Sequence, residues 1–401
     1  MKSIRDIYVI GNGPSSSHTM GPSFAVDYIL NKYNNIHFVR VYLYESLALT
    51  GKGHLTDYII SKKLNDNNIE NEIIFDFKTS VDHPNTMKFE IVLNDDSKFE
   101  EIIVSSGGGT IITSSSDNFS ENDLYKEKNL TEILRFCSEN DISLYQYIIN
   151  HEGLSFIDYL KTVLKTMDNA IERGKNTDGL LPGSLKVKRK AKDMFEKTQS
   201  VSDDFNKMEL LVSVSSFAVS EENASGGVVV TAPTCGSCGV IPGVITYLRL
   251  KGYSDDKILE GLAVAGLIGK VIKENASVSG AVGGCQAEIG AASSMGAALM
   301  MHVYDASNEK IAQAAEMALE HSLGLTCDPI RGYVQIPCIE RNSIFALKAI
   351  NAAHISLIID KETSLISFDD IVDTMYRTGK DLHTGYKETS TKGMSEIKKF
   401  N

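Results

Sequence analysis

This sequence is short of several features, and each shortage closes off a class of protein. Positive charge is outnumbered: the formal net charge is −12 over 401 residues, which argues against nucleic acid or an anionic membrane as a partner, since both reward clustered Lys and Arg. Long apolar runs are missing. The longest, Gly261–Gly269, is about half of what a bilayer-spanning helix needs. The N-terminus has no apolar leader, because Met1–Asp6 is charged and runs straight into the strand-like Ile7–Ile10, so no signal peptide is expected. Six cysteines are too few for a disulfide framework in a chain of this length, and a reducing cytoplasm fits them better. No internal repeat or low-complexity tract occurs, and no lysine lies in a convincing pocket for pyridoxal phosphate. What is left is an ordinary globular composition, 42% hydrophobic and 23% charged, long enough for two domains with separate cores.

The pattern along the chain predicts an α+β protein. Residues 1–112 read as a small α/β domain. A turn-rich loop, Gly11 to Pro22, opens a helix over Ser23–Asn31, and a second helix runs near His54–Leu64. Strands are expected at Phe38–Tyr44, Asn71–Phe75, Met87–Leu93 and Phe99–Val104, the last two joined by the hairpin turn Asn94-Asp-Asp-Ser97. Residues 113–129 lack periodicity and read as a connecting segment. From 130 to 401 the apolar spacing is helical, including a stretch at Leu185–Glu196, with one short strand at Gly227–Thr231. The segment Gln286–Tyr304, rich in Ala, Gly, Ser and Met, is expected to be buried on all sides.

Three cysteines stand at bends in this helical part: Cys285 after Gly283-Gly284, Cys327 before Asp328-Pro329, and Cys338 after Pro337. Proline pushes the residue before it out of the helical region, which sets Cys327 and Cys338 at element ends where thiols can share a centre. Three thiolates are one short of the four that normally hold a [4Fe–4S] cluster, and the shortfall would leave one iron open as a Lewis acid. Spacing alone leaves this beside a plainer reading, three core thiols. Cys235 and Cys238 form a C-x-x-C with no βαβ context, a loop pair that remains a rival for ligation. Cys137 lies in a helical stretch and reads as core.

Other residues could meet a substrate. Ser15, Ser16, Ser17, His18 and Thr19 sit at the mouth of a helix, where one hydroxyl suffices for a cap and the rest suit an anion. His54 follows Gly51-Lys-Gly53 just past a strand end, at a helix start that would keep its imidazole neutral; a surface histidine after a turn is the plain alternative. Asn85, Thr86 and Ser105–Gly109 read as turns. Lys186 and Arg189 belong to a basic run in an acidic chain, of the kind that is usually a solvated helix face.

Several of these stretches carry a resemblance. Gly-Cys-Gln-Ala-Glu-Ile-Gly around Cys285 and the run from Leu323 to Asn342 are similar to the C-terminal signature of the bacterial iron–sulfur-dependent L-serine dehydratases. Pro-Ser-Ser-Ser-His-Thr-Met-Gly-Pro, Ser-Leu-Ala-Leu-Thr-Gly-Lys-Gly-His, Asp-His-Pro-Asn-Thr-Met and the glycine-rich end at 107–109 follow in family order, so that the likeness runs from Pro14 to about Asn351. Glu45 departs from the pattern, standing where the family motif has glycine.

The resemblance implies a single-chain L-serine ammonia-lyase, a homodimer of amino-acid catabolism and gluconeogenesis. It implies a [4Fe–4S] cluster on Cys285, Cys327 and Cys338, with the open iron gripping the L-serine carboxylate and β-hydroxyl. It makes His54 the candidate general base and His18 the second choice, and lends Ser15, Ser16, Ser17, Thr19, Asn85, Thr86, Lys186 and Arg189 to substrate binding. Single-chain relatives often end in a cysteine that folds back on the cluster, whereas this sequence ends Lys398-Lys-Phe-Asn401; solvent, or Cys235 or Cys238, is then expected at the fourth iron. Two other functions stay open: an L-cysteine desulfidase using the same β-elimination, and a non-catalytic iron–sulfur or redox-sensing protein.

Overall fold

A computed structural model describes residues 1–113, 123–360 and 365–398, so most of the expected connecting segment lies outside the described residues. The chain starts with one 3-10 turn, Ile4–Ile7, capped by Ser3, and strand β1 is Ile10–Asn12. Helix α1 (Gly21–Lys32) carries Pro22 in its first turn, where the missing N–H costs nothing. There follow β2 (Ile36–Tyr44), α2 (Glu45–Thr50), α3 (Thr56–Asp66), β3 (Glu70–Asp76), β4 (Thr86–Leu93), β5 (Lys98–Gly107) and β6 (Thr110–Thr113).

Strands β2 to β6 form one sheet in the order β3-β2-β4-β5-β6, with β2 and β3 parallel and the other pairs antiparallel. The parallel pair needs a crossover, which α2 and α3 supply. Val39, Val41 and Leu43 alternate inward along β2 and meet Phe89 and Ile91 of β4, Ala25 and Ile29 of α1, and Ile60 and Leu64 of α3. The hairpin turn at 94–97 lies where its residues predict, with Asp96 at φ +65°.

The helical part comprises α4 (Leu130–Glu139), α5 (Leu144–Glu152), α6 (Ser155–Asn176), α7 (Ala191–Thr198), α8 (Asp204–Ala224), strand β7 (Val228–Val230), α9 (Val240–Leu250), α10 (Asp255–Asn275), α11 (Gly280–Gly283), α12 (Ala291–Val303), α13 (Asn308–Glu320), α14 (Cys338–Ile358) and α15 (Phe368–Asp381). Every residue of α12 is buried, with α9, α10, α13 and α14 around it. Its small residues let neighbours close in: a Cβ at Gly296 would stand 3.1 Å from both Ala349 and Val244. The architecture is α+β.

Local signals misplace some elements. The N-terminal strand begins at Ile10 rather than Ile7 because its partner is distant: β1 pairs antiparallel with β7, and Val9 exchanges bonds with Thr231. The helix expected from Leu185 begins at Ala191, because 180–190 turns back on itself through a Leu180–Lys188 bridge with Lys186 at φ +53°. Helix α3 starts at Thr56 after a left-handed Leu55, so His54 stands in the preceding turn.

The β1–β7 pairing also ties the two parts of the chain together. Asn223 Nδ2 donates to the Pro14 carbonyl at 2.8 Å, and a Cβ at Gly53 would lie 2.7 Å from the Gly332 carbonyl. Glycine at 53 is what allows the His54 turn to rest on the backbone of the helical part.

Candidate active site between the sheet and the helices

Cys285, Cys327 and Cys338 line one enclosed pocket, together with Ser15, His54, Gly236, Glu288, Arg341 and Glu388. Each thiol arrives from a different element. Cys285 follows Gly284, whose φ of +74° and closeness to the Leu325 carbonyl (2.7 Å from an added Cβ) require glycine. Cys327 is held in extended backbone, its N–H donating to the Tyr386 carbonyl at 2.8 Å and its own carbonyl accepting from Glu388 N–H at 2.7 Å. Cys338 is the first residue of α14. Asn342, one turn on, accepts from Gly239 N–H at 2.8 Å and donates to the carbonyls of Gly236 and Cys338, stapling the Gly236 loop to that helix start.

Burial pushes all three thiols above the ordinary range, and for Cys285 and Cys338 the Arg341 guanidinium works in the opposite direction. Arg341 is held by a bond to the Thr326 carbonyl at 2.8 Å. Three soft sulfur donors facing one pocket, with a cation fixed beside them, fit an iron–sulfur cluster: coordination deprotonates such thiols, and the guanidinium offsets part of the resulting charge.

The two histidines differ in their free nitrogens. Thr50 Oγ1 donates to the Ser46 carbonyl at 2.9 Å, so toward His54 Nδ1, 3.2 Å away, it is an acceptor. The proton is thereby assigned to Nδ1, and Nε2 carries a lone pair. That atom is buried and has no hydrogen-bond partner among the described residues. His18 has no free position. Ser46 Oγ donates to the Glu388 carbonyl (2.9 Å) and so accepts from His18 Nε2 (3.0 Å), leaving Ser17 Oγ as donor to His18 Nδ1 (2.9 Å). Burial depresses both imidazoles, His18 to about 4 and His54 well below the usual range; for His54 the next cause is His18 itself. Burial, rather than a helix terminus, keeps His54 neutral.

Of the hydroxyl loop, Ser15 lines the pocket, while the loop folds as a π-helical turn, Ser16–Met20. Ser15 Oγ caps it by accepting from His18 N–H, and Thr19 Oγ1 donates to the His54 carbonyl at 2.7 Å. Ser16 and Ser17 are buried in that turn. Asn85 and Thr86 are not among the residues lining the pocket: Asn85 is fully buried with both amide atoms unpartnered among the described residues, as is Ser105 Oγ, and Thr86 is committed to the His83 carbonyl. The structure does not bring Lys186 or Arg189 to the pocket. Lys186 is exposed, and Arg189 pairs with Glu222 at 2.9 Å and bonds Ser225. Cys235 and Cys238 turn into an apolar cluster with Met20, Val219 and Val229, so that their loop presents Gly236 to the pocket. Glu45 adopts φ +41°, which accounts for the glycine preferred there.

Three pocket residues were not singled out from the sequence. Arg341 and Glu288 lie inside the cysteine motifs, where position beside a cysteine was the available signal. Glu388 lies in a polar stretch after the last helix and gave none. Glu288 accepts from Thr234 Oγ1 at 2.8 Å and from the Cys327 thiol at 3.6 Å. Glu388 Oε1 stands 3.6 Å from His18 Nδ1 and 3.7 Å from His54 Nε2, while its buried Oε2 has no hydrogen-bond partner among the described residues. Burial, and then Glu288, raise the Glu388 carboxyl well above the usual range.

Residues 3–71 match the family described as serine dehydratase beta chain, and residues 109–395 the family described as serine dehydratase alpha chain. The chain is 37% identical to L-serine dehydratase 1 of Escherichia coli (strain K12), covering 98% of this chain and 99% of that protein. It is 36% identical to the L-serine dehydratases of Haemophilus influenzae and Helicobacter pylori (strain 26695), at 98–99% of this chain and 99% of each relative. No helix among the described residues is long and apolar enough to cross a membrane.

Proposed function

The chain belongs to the serine dehydratase family, and from that premise we propose that it converts L-serine to pyruvate and ammonia at a [4Fe–4S] cluster held by Cys285, Cys327 and Cys338. The observation that carries the cluster is the convergence of those thiols, from three separate elements, on a pocket they share with His54. The chemistry supplied by a cluster on three protein sulfurs is Lewis acidity at its fourth iron, suited to the departing hydroxide.

The chain's own residues do the rest. His54 Nε2, neutral and unpartnered, takes the α-proton of L-serine. Thr50 holds the tautomer by accepting from Nδ1–H, and Thr19 holds the His54 backbone. His18 is a positioning residue, its nitrogens spent on Ser17 and Ser46. Ser15 is a neutral hydrogen-bonding group that the pocket offers the substrate. Loss of the α-proton and the β-hydroxide leaves 2-aminoacrylate, which tautomerises to the imine and takes up water to give pyruvate and ammonia. A free, buried base argues against a purely redox-sensing role, which would have no use for one. The cysteines suit a reducing cytoplasm, and the family resemblance adds a homodimer.

The test is anaerobic purification with iron and sulfide counted and turnover measured on L-serine and L-cysteine. Four irons and four sulfides per chain with pyruvate formed from serine are expected. A protein without a cluster sinks the mechanism, and faster sulfide release from cysteine than pyruvate from serine sinks the substrate.

A further inference from the structure

We propose that Glu388 is the acceptor for the α-ammonium group of the substrate; this rests on the serine-deaminating reading above. A buried active site that binds an amino acid must receive a cation as well as a carboxylate, and an ammonium taken out of water without an anionic partner is costly. Three carboxylate residues line the pocket, Asp328, Glu288 and Glu388. Asp328 is spent on both oxygens, accepting from Thr326 Oγ1 at 2.9 Å and from Met394 N–H at 2.7 Å. Glu288 has one oxygen engaged by Thr234 Oγ1 at 2.8 Å, and its other oxygen faces the Cys327 sulfur at 3.6 Å. Glu388 is 5% exposed, and its Oε2 has no hydrogen-bond partner among the described residues.

The surroundings of Glu388 fit a multi-proton donor. Its Oε1 stands 3.7 Å from the lone pair of His54 Nε2, beyond hydrogen-bond length, and 3.6 Å from His18 Nδ1, which already accepts a hydrogen bond from Ser17 Oγ. An ammonium brings three N–H donors and the positive charge that burial denies this carboxylate. The placement has a mechanistic consequence. Cα is one bond from the ammonium nitrogen, so anchoring that nitrogen on Glu388 sets the α-proton against His54 Nε2.

The backbone is built to hold the anchor still. Glu388 N–H donates to the Cys327 carbonyl at 2.7 Å, and the Glu388 carbonyl accepts from Ser46 Oγ at 2.9 Å. The ammonium anchor is thus tied to the backbone of a cluster-site cysteine on one side and to the His18 network on the other.

The experiment measures KM for L-serine and competitive Ki values for L-alanine, which keeps the ammonium, and 3-hydroxypropanoate, which lacks it. Wild type, Glu388→Gln and Glu388→Asp are compared as anaerobic holoenzymes with metal content determined. In Glu388→Gln, KM for serine and Ki for alanine should rise at least about 30-fold, while Ki for 3-hydroxypropanoate changes less than about three-fold and iron content is unchanged; Glu388→Asp should recover part of the loss. On wild type alone, L-alanine should bind more tightly than propanoate, a fourth ligand that differs from it only by lacking the ammonium group, a comparison independent of how the variants fold. Equal loss for all three ligands, an unchanged KM, or no preference for alanine over propanoate overturns the assignment. So does a fifth metal per chain that disappears with Glu388, since His18, His54 and Glu388 offer ligand atoms within 4.8 Å of one another. A wild type that neither holds a cluster nor turns over serine refutes the parent reading instead.

Discussion

Two groups of cysteines lie close together in this protein, and their surroundings make them opposites. Cys235 and Cys238 have the spacing of a redox or metal motif, yet their thiols pack among Met20, Val219 and Val229, with the Cys235 sulfur 3.8 Å from the Met20 sulfur. Cys285, Cys327 and Cys338 have no motif spacing, yet they face a pocket furnished with Arg341, Glu288, Glu388 and His54. Burial raises the thiols of both groups, so burial does not separate them. What does is charge and polarity within reach: the second group alone has a guanidinium beside it to offset thiolate charge. Local spacing is a poor guide to ligation when the ligands come from distant bends.

The sharpest break of this comparison is to remove its polar member. Replacing Cys285, Cys327 or Cys338 by Ser should abolish both the cluster, read as iron, sulfide and visible absorbance, and serine turnover. Retention of a full cluster in any one of the three variants would transfer ligation elsewhere. Next in size is His54→Ala, which should keep the cluster while turnover falls about 10²–10⁴-fold, the usual cost of a general base. The pH profile carries the same assignment. A base is competent above its pKa, and burial places that of His54 below 6.5, so kcat/KM should hold as pH falls through 6.5 and drop only at lower pH. An acid limb centred above 6.5 would move the base role away from His54.

Much of this site is legible in the sequence because its parts sit at punctuation. Gly284, Pro329 and Pro337 mark the bends that present thiols, and Gly51-Lys-Gly53 marks the turn that presents His54. The helical period gives α12 and its burial, and alternation gives the sheet. What stays hidden depends on partners far along the chain. Strand β1 is set by β7, more than 200 residues on, so local pattern misplaces it. Arg189 looks like a substrate cation until Glu222 of α8 is seen to neutralise it. His54 ranks above His18 in the sequence only through the family resemblance; the hydrogen bonds that fill both nitrogens of His18 and leave Nε2 of His54 free are not legible there. Glu388 carries no local signal, since nothing near it in the sequence says that its backbone pairs with Cys327.

Arg341 sharpens the comparison from the electrostatic side. Its guanidinium charge acts on Cys285 and Cys338, so Arg341→Met should retain the fold but weaken the cluster, with iron affinity down about 10–100-fold, as for outer partners of metal ligands generally. Chelator-induced loss of absorbance gives the number. An unchanged rate of loss would mean that the guanidinium does not offset the thiolates.

The smallest expected effect belongs to the apolar pair. Cys235→Ala/Cys238→Ala removes two sulfurs from a packed cluster whose neighbours are Met20, Val219 and Val229, so the cost should be one of packing, about 1–2 kcal/mol in all. Cluster content and kcat/KM should stay within about two-fold, because the wall this loop offers the pocket is Gly236, held in place through its carbonyl by Asn342. The variant also decides what rests on the fourth iron. For either thiol to reach it, the side chain would have to leave its apolar neighbours and lose its proton, against a burial that pushes both thiols above the ordinary range. Solvent has neither obstacle. The double variant should therefore lose activity in air at the wild-type rate, with unchanged spectra for sulfur ligation at the unique iron. Faster inactivation together with the loss of a sulfur signal would show that a loop thiol covers the cluster at rest, and the contrast between the two cysteine groups would fail.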